Sequence, residues 1–83
     1  MENIYINFLK ERISNNTGVS INEINSDLDI FENNYIDSIG IFTLFVEVEE
    51  EFGVEISLEN LDNFNISTIK GLAQAIEYEK QNN

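Results

Sequence analysis

One serine, Ser38, and the acid that precedes it, Asp37, carry most of the chemistry that this chain can offer. The 83 residues include no histidine and no cysteine, so the usual general base, the thiolate nucleophile and the commonest metal ligands are all missing. A serine hydroxyl without a neighbouring base is a poor nucleophile. With neither a triad nor a Gly-x-Ser-x-Gly turn, a serine hydrolase is excluded. We therefore predict no catalytic residue and no metal site, and we do not expect a self-contained enzyme.

A serine at the start of a helix offers a different kind of chemistry. Asp37 and Ser38 precede a periodic apolar segment, and either side chain can accept hydrogen bonds from the free N–H groups of a first turn. The same N–H groups and the positive end of the helix dipole also favour a phosphate attached to a hydroxyl there. Taken alone, the dipeptide indicates a helix cap first and an attachment point second.

Helical periodicity recurs in three segments and predicts an all-α fold, a small bundle of three main helices plus one short helix. The main helices are predicted from about residue 3 to residue 16, from Asp37 or Ser38 to residue 52, and from residue 67 or 68 to about residue 80. The short helix is predicted over residues 57–64. Residues 54–56 look strand-like but have no partner strand, so we expect an extended loop. We expect a single domain over residues 1–83.

A long polar loop connects the first and second helices. Residues 17–37 are rich in Asn, Ser and Asp, with apolar residues scattered among them. Loops of this length are uncommon in compact domains and are usually functional or contain a short helical turn. We expect this connector to be pinned to the core by its apolar residues.

The second helix has more apolar surface than one buried face needs. At about 100° per residue, one arc is a normal core stripe and a second arc is also apolar, with Glu49 and Glu50 on either side of it. Either the bundle surrounds this helix and buries both arcs, or the second arc is an exposed contact surface with an acidic border. The core stripe consists of Ile41, Leu44, Phe45, Val48 and Phe52, and the second arc of Ile39, Phe42 and Val46.

The charge is strongly acidic and concentrated in the middle of the chain. Four basic and sixteen acidic residues give a net charge of −12, and residues 13–69 contain twelve acids but no Lys or Arg. Such a surface repels nucleic acid and anionic lipid and attracts basic protein surfaces. No apolar run approaches the roughly 20 residues of a membrane span, and the first residues lack a signal peptide pattern. We expect a cytoplasmic protein with no membrane insertion and no nucleic acid partner.

The residues from 37 to 56 form a pattern that resembles the acyl carrier and peptidyl carrier proteins. The resemblance implies that Ser38 carries 4′-phosphopantetheine through a phosphodiester and that the arm's thiol holds cargo as a thioester. It also implies that the second helix docks partner enzymes through Asp37, Ile39, Phe42, Val46, Glu49 and Glu50. The matching residues are Asp37-Ser38-Ile39, Leu44, Val48, Glu49-Glu50-Glu51-Phe52-Gly53 and Glu55-Ile56.

The partners that this resemblance implies are a phosphopantetheinyl transferase, a loading ligase and acyl-transferring enzymes with basic docking surfaces, acting on a monomeric carrier. Gly40 and Thr43 stand where fatty-acid carriers commonly have polar or acidic residues. The region near the serine therefore has less negative charge with which to dock a partner. Tyr35-Ile36-Asp37-Ser38-Ile39-Gly40 is more similar to stand-alone carriers of specialised pathways. An acyl carrier, an aminoacyl, peptidyl or D-alanyl carrier, and an unmodified acidic interaction module all stay open.

The uncompensated acids generate a first prediction about stability. Because like charges repel in the compact state, we expect the fold to be loosened at low salt and neutral pH and to be stabilised by salt, divalent cations or mild acidification. Thermal unfolding should move to higher temperature under each of these changes. Melting curves that respond to none of them would contradict this account of the charge.

Overall fold

The computed structural model describes residues 3–57 and 63–82 and confirms the all-α fold. The described residues form helices α1 (Ile4–Thr17), α2 (Ser38–Phe52) and α3 (Ile69–Gln81), with a 3-10 turn at Ile21–Glu23 between α1 and α2. No strand occurs within these residues, where a single isolated bridge joins Asp29 to Thr68. The short helix predicted over residues 57–64 falls largely on residues 58–62, which lie outside the described residues. No helix in the described ranges is long and apolar enough to cross a membrane.

Local capping explains where each helix begins and ends. Every helix starts after a polar side chain that accepts a hydrogen bond from a first-turn N–H group. α1 and α2 each end at a glycine whose backbone lies in the left-handed region, with φ of 80° at Gly18 and 67° at Gly53. A residue with a Cβ atom would be strained in this conformation. The predicted bounds of these helices are confirmed to within about one residue. The starting caps are Asn3, Asp37 and Thr68.

A single apolar core lies between the helices and the connector. The apolar residues Ile69, Leu72, Ala73 and Ile76 of α3 are buried. The core stripe of α2 is buried at three positions, with Phe45 and Phe52 half-buried against it. Because 83 residues bury a limited fraction of their surface, the connector must contribute to this core as well. The core cluster is Leu9, Ile13, Ile24, Ile30, Ile41, Leu44, Val48, Val54, Ile69, Leu72, Ala73 and Ile76.

The connector is held by the core, as the sequence predicts, and is also bonded to the segment at the start of α3. The N–H of Ile30 donates to the carbonyl of Ser67 at 2.8 Å, and the N–H of Lys70 donates to the carbonyl of Ser26 at 3.0 Å. The side chain of Ile30 is fully buried, so apolar contact and backbone hydrogen bonds act at the same place. The 3-10 turn is the short helical turn expected inside this loop.

The C-terminal end of α2 is held by both other helices. The ring of Phe52 makes edge-to-face contacts with Tyr5 and Phe8 of α1, at centroid distances of 5.0 and 5.1 Å. The Nζ of Lys80 donates to the carbonyl of Phe52 at 3.0 Å. Further along α1, Arg12 pairs with Glu47 of α2 at 3.3 Å. These contacts fix one side of α2 and leave its outer face uncovered by α1 and α3.

A close backbone approach at Gly71 generates a stability prediction. A Cβ atom at Gly71 would lie 1.7 Å from the carbonyl oxygen of Asn65, so the turn before α3 would have to move. We expect Gly71→Ala to destabilise the protein by about 1–3 kcal/mol through overpacking, although alanine has the higher helix propensity. Chemical denaturation followed by circular dichroism measures this change.

The matched control for Gly71→Ala is Gln74→Ala, an exposed position in the same helix. We expect this control to alter stability by no more than about 0.5 kcal/mol. Stability of Gly71→Ala equal to or above that of the wild type would show that the approach of Asn65 is not a packing constraint.

Candidate functional site

The turn that precedes α2 is anchored by Ile30. The N–H groups of Tyr35 and Ile36 both donate to the carbonyl of Ile30, at 2.9 and 3.2 Å. Between these residues the chain reverses through Asn34, which has φ of 59°, a left-handed conformation that asparagine tolerates better than most residues. The start of α2 is therefore placed by hydrogen bonds to a residue of the core.

The same turn is stiffened by an acid. One carboxylate oxygen of Asp29, Oδ1, accepts from the N–H groups of Phe31 and Glu32, both at 2.9 Å. The side-chain amide of Asn33 donates to the carbonyl of Asp29 at 2.8 Å. Aspartate and asparagine are the residues that most readily bond to nearby backbone in this way. The predicted loop is thus an ordered turn just before the site.

Asp37 is the cap of α2, and Ser38 is the first helical residue. Oδ1 of Asp37 accepts from the N–H of Gly40 at 2.6 Å, and the Asp37 side chain is exposed. The side chain of Ser38 lies outside what the structure describes, and only its place in the helix is known. Because Asp37 fills the capping role, the fold does not require the Ser38 hydroxyl to serve as the cap.

The second apolar arc of α2 is exposed. Ile39, Phe42 and Val46 retain 76%, 60% and 53% of their accessible surface, and we refer to these three residues as the apolar strip. The ring of Phe42 meets that of half-buried Phe45 edge-to-face at 6.3 Å, so the strip is continuous with the core below it. The alternative in which the bundle buries both arcs is wrong.

The acids around the apolar strip differ in what they do. Glu50 is exposed, as the acidic border requires. Glu49 is half-buried, and its Oε2 accepts from the N–H of Ile56 at 3.0 Å, so it also holds the extended loop after α2. Of the six residues predicted to bind partners, four are exposed without a side-chain hydrogen bond within the described residues. These four are Ile39, Phe42, Val46 and Glu50.

A cavity of about 420 Å³ lies beside the start of α2, and the sequence did not predict it. A Cβ atom at Gly40 would lie 2.8 Å from Cγ1 of Ile36 and 3.1 Å from Oδ1 of Asp37, so these two side chains pack closely against the glycine. The cavity is lined by Ile13, Asn16, Thr17, Asn34, Tyr35, Ile36, Asp37, Gly40 and Thr43.

Comparison with known proteins gives two matches. A family described as "Phosphopantetheine attachment site" matches residues 7–76, which include the whole of α2. A protein of Rickettsia bellii (strain OSU 85-389), named "Acyl carrier protein", is 33% identical over 69 residues, which is 83% of this chain and 79% of that protein. No solved structure gives a significant match.

Proposed function

Because the chain belongs to the phosphopantetheine-dependent carrier proteins, the family that includes the acyl carrier proteins, we propose that Ser38 is its attachment residue and that it carries acyl cargo. The family bears a covalent 4′-phosphopantetheine group, and this chain is a carrier protein of that kind. The observation that carries the proposal is the place of Ser38, the first residue of α2, next to the cap Asp37 and the apolar strip. We propose that residues 1–83 act as one carrier domain.

The residues at the start of α2 fit a phosphopantetheine group. The attachment needs a hydroxyl, and Ser38 stands at a helix N-terminus, where the dipole favours the charge of a phosphodiester. When bound, the group supplies a terminal thiol that holds cargo as a thioester.

Loading of Ser38 requires a separate enzyme because the chain contains no histidine or cysteine to activate the hydroxyl. In the loading step, the Ser38 oxygen attacks the coenzyme A phosphorus that bears pantetheine. A P–O bond of the pyrophosphate breaks, the adenosine bisphosphate leaves, and a base of the transferase takes the serine proton. The chain is thus modified and does not catalyse, and the proposal places it in the cytoplasm, where coenzyme A is available.

The apolar strip and Glu50 are the proposed docking surface. Exposed apolar side chains recover hydrophobic free energy when a partner covers them, and an acidic border steers a basic partner and fixes its orientation. Glu50 is free to pair with a partner's Lys or Arg, whereas Asp37 and Glu49 already accept backbone hydrogen bonds within the chain. We propose that Asp37 and Glu49 contribute mainly through their charge. The partners are the transferase, a loading ligase and acyl-transferring enzymes.

The absence of charge at Gly40 and Thr43 favours a second class of cargo. Neither residue places a charge near Ser38, and the sequence from Tyr35 to Gly40 is similar to that of specialised carriers. An aminoacyl or D-alanyl group is therefore the alternative to a fatty acyl group on the same arm. The carrier that bears phosphopantetheine can be incubated separately with fatty-acid, amino-acid and D-alanine ligases. The amount of thioester formed with each ligase then distinguishes these cargoes.

Attachment at Ser38 is tested by mass spectrometry after incubation with coenzyme A and a phosphopantetheinyl transferase. We expect the wild-type protein to gain the mass of one phosphopantetheinyl group and Ser38→Ala to gain none, because no other side chain is proposed to accept the group. Fragmentation of the modified protein should place the added mass on residue 38.

The matched control for attachment is Ser20→Ala, an exposed serine that makes no capping hydrogen bond. This variant should load like the wild type. No mass gain on the wild-type protein with several competent transferases would favour an unmodified acidic interaction module. A gain that persists on Ser38→Ala would move the attachment to another residue.

The apolar strip is tested by Phe42→Ala and Val46→Ala. Because both side chains are more than half exposed, we expect each variant to lose less than about 1 kcal/mol of stability. The transferase kcat/KM for loading should fall by about tenfold, the size of effect typical when an interface anchor is truncated. Denaturation and loading kinetics measure the two quantities separately.

Ile21→Ala is the control for the apolar strip, because Ile21 is exposed and apolar but lies in the 3-10 turn. We expect it to load at the wild-type rate. A loss of several kcal/mol in either strip variant would mark that residue as core. Unchanged loading in both strip variants would remove the strip from the docking surface.

A further inference from the structure

We propose that Ile36 and Gly40 form a positioning contact that holds the backbone of Ser38 for loading. This inference rests on the proposed attachment at Ser38, since it concerns how that residue is held while its hydroxyl is modified. Ile36 lies two residues before Ser38, and Gly40 lies two residues after it. Both act through the backbone on either side of Ser38, so they are positioning residues and not catalytic ones.

The side chain of Ile36 fills the place where residue 40 would carry a side chain. A Cβ atom at Gly40 would be 2.8 Å from Cγ1 and 3.7 Å from Cδ1 of Ile36. Carbon atoms pack best at about 3.5–4.0 Å, so the space beside Gly40 is already occupied. Glycine inside a helix is destabilising relative to alanine. Its presence in the first turn of α2 therefore matches a position where a side chain has no room.

Ile36 is held on its own side of this contact. Its N–H donates to the carbonyl of Ile30 at 3.2 Å, and its side chain is half-buried against the core. The atom nearest to the glycine is Cγ1, which belongs to a β-branched side chain that is stiff at χ1. Because Ile36 has little freedom to move aside, a shift at either residue is transmitted to the other.

A second link joins the same two sides of Ser38. Oδ1 of Asp37 accepts from the N–H of Gly40 at 2.6 Å. The carbonyl of Asp37 accepts from the N–H of Ile41 at 3.0 Å, which closes the first turn of α2. The backbone of Ser38 therefore lies inside a turn that is closed by hydrogen bonds and by the contact between Ile36 and Gly40.

A fixed backbone at Ser38 favours the geometry that loading needs. The serine oxygen must approach the phosphorus roughly in line with the bond that breaks. A misplacement of about 1 Å can cost on the order of a hundredfold in rate, even when its cause is remote from the reacting atoms. A change at residue 36 or 40 should therefore slow the transfer step itself.

The contact lies away from the surface proposed to bind partners. With Ser38 at 0° and about 100° per residue, Gly40 falls at about 200°, whereas the apolar strip falls between about 40° and 100°. A variant at residue 40 leaves the strip unchanged. Positioning and docking should therefore be separable in loading kinetics.

The test is single-turnover loading with the transferase in excess, which separates the transfer step from product release. It yields a saturating rate and the transferase concentration at half-saturation. In Gly40→Ala we expect the saturating rate to fall by about tenfold, since the shift that relieves a 2.8 Å contact is somewhat less than about 1 Å. The half-saturation concentration should stay close to the wild-type value because the strip is unchanged.

The decisive variant combines Ile36→Ala with Gly40→Ala. Shortening Ile36 removes Cγ1 and makes room for the new Cβ atom. Ile36→Ala by itself should also lower the saturating rate, because the glycine then has no side chain against it. Changes at two residues in contact are not additive. We therefore expect the pair to load faster than Gly40→Ala, and a pair that is no faster would overturn the proposal.

The matched control for this rescue combines Ile21→Ala with Gly40→Ala. Ile21 is an exposed isoleucine in the 3-10 turn, and none of its atoms is among those nearest to Gly40. The same truncation made there should leave loading as slow as in Gly40→Ala. Recovery in this pair as well would show that the effect does not depend on Ile36.

The outcomes distinguish the positioning contact from the attachment itself. Failure of the wild-type protein to load contradicts the attachment at Ser38. If the wild type loads, an unchanged saturating rate in Gly40→Ala contradicts the positioning contact alone, whatever the half-saturation concentration. Circular dichroism checks that each variant is folded. If Gly40→Ala does not fold, Ile36→Ala decides: a wild-type saturating rate overturns the proposal, and a lower rate at unchanged half-saturation supports it.

Discussion

The carbonyl and side chain of Ile30 determine where the functional helix begins. The side chain is fully buried, its N–H is bonded to Ser67, and its carbonyl accepts from both Tyr35 and Ile36. Because a buried carbonyl that loses its partners is costly, these bonds hold the residues just before α2 in one arrangement. The positions of the cap, of Ser38 and of the cavity wall all depend on this anchor. The long connector therefore positions the start of α2 in addition to linking two helices.

The surface of α2 is divided into sides with different surroundings. Its buried stripe joins the common core, and its C-terminal end is held by aromatic contacts with α1 and by Lys80. The apolar strip, on a further side, is exposed. A third side, at Gly40 and Thr43, borders the cavity. The core stripe, the apolar strip and the border of the cavity thus occupy separate arcs of one helix.

The acids of the middle segment have two roles. Some are used within the fold: Asp29 and Asp37 accept backbone N–H groups, Glu49 holds Ile56, and Glu47 pairs with Arg12. Others, including Glu50, are exposed and form an acidic field at the surface. The net charge of −12 therefore overstates this exposed field, because local hydrogen bonds and the ion pair use part of the charge. Within the described residues, an acid's neighbours decide which role it has.

The sequence by itself determined α1, α2 and α3, because capping residues and the 3.6-residue period act locally: Asp37 and Thr68 precede helices, and the glycines at 18 and 53 follow them. It also determined which arc of α2 is apolar in addition to the core stripe. Only the tertiary structure decided that this arc is exposed, that Glu49 bonds to the following loop, and that a cavity lies beside the start of α2. Exposure and free volume depend on which segments pack alongside a helix, and those segments are far away in the chain.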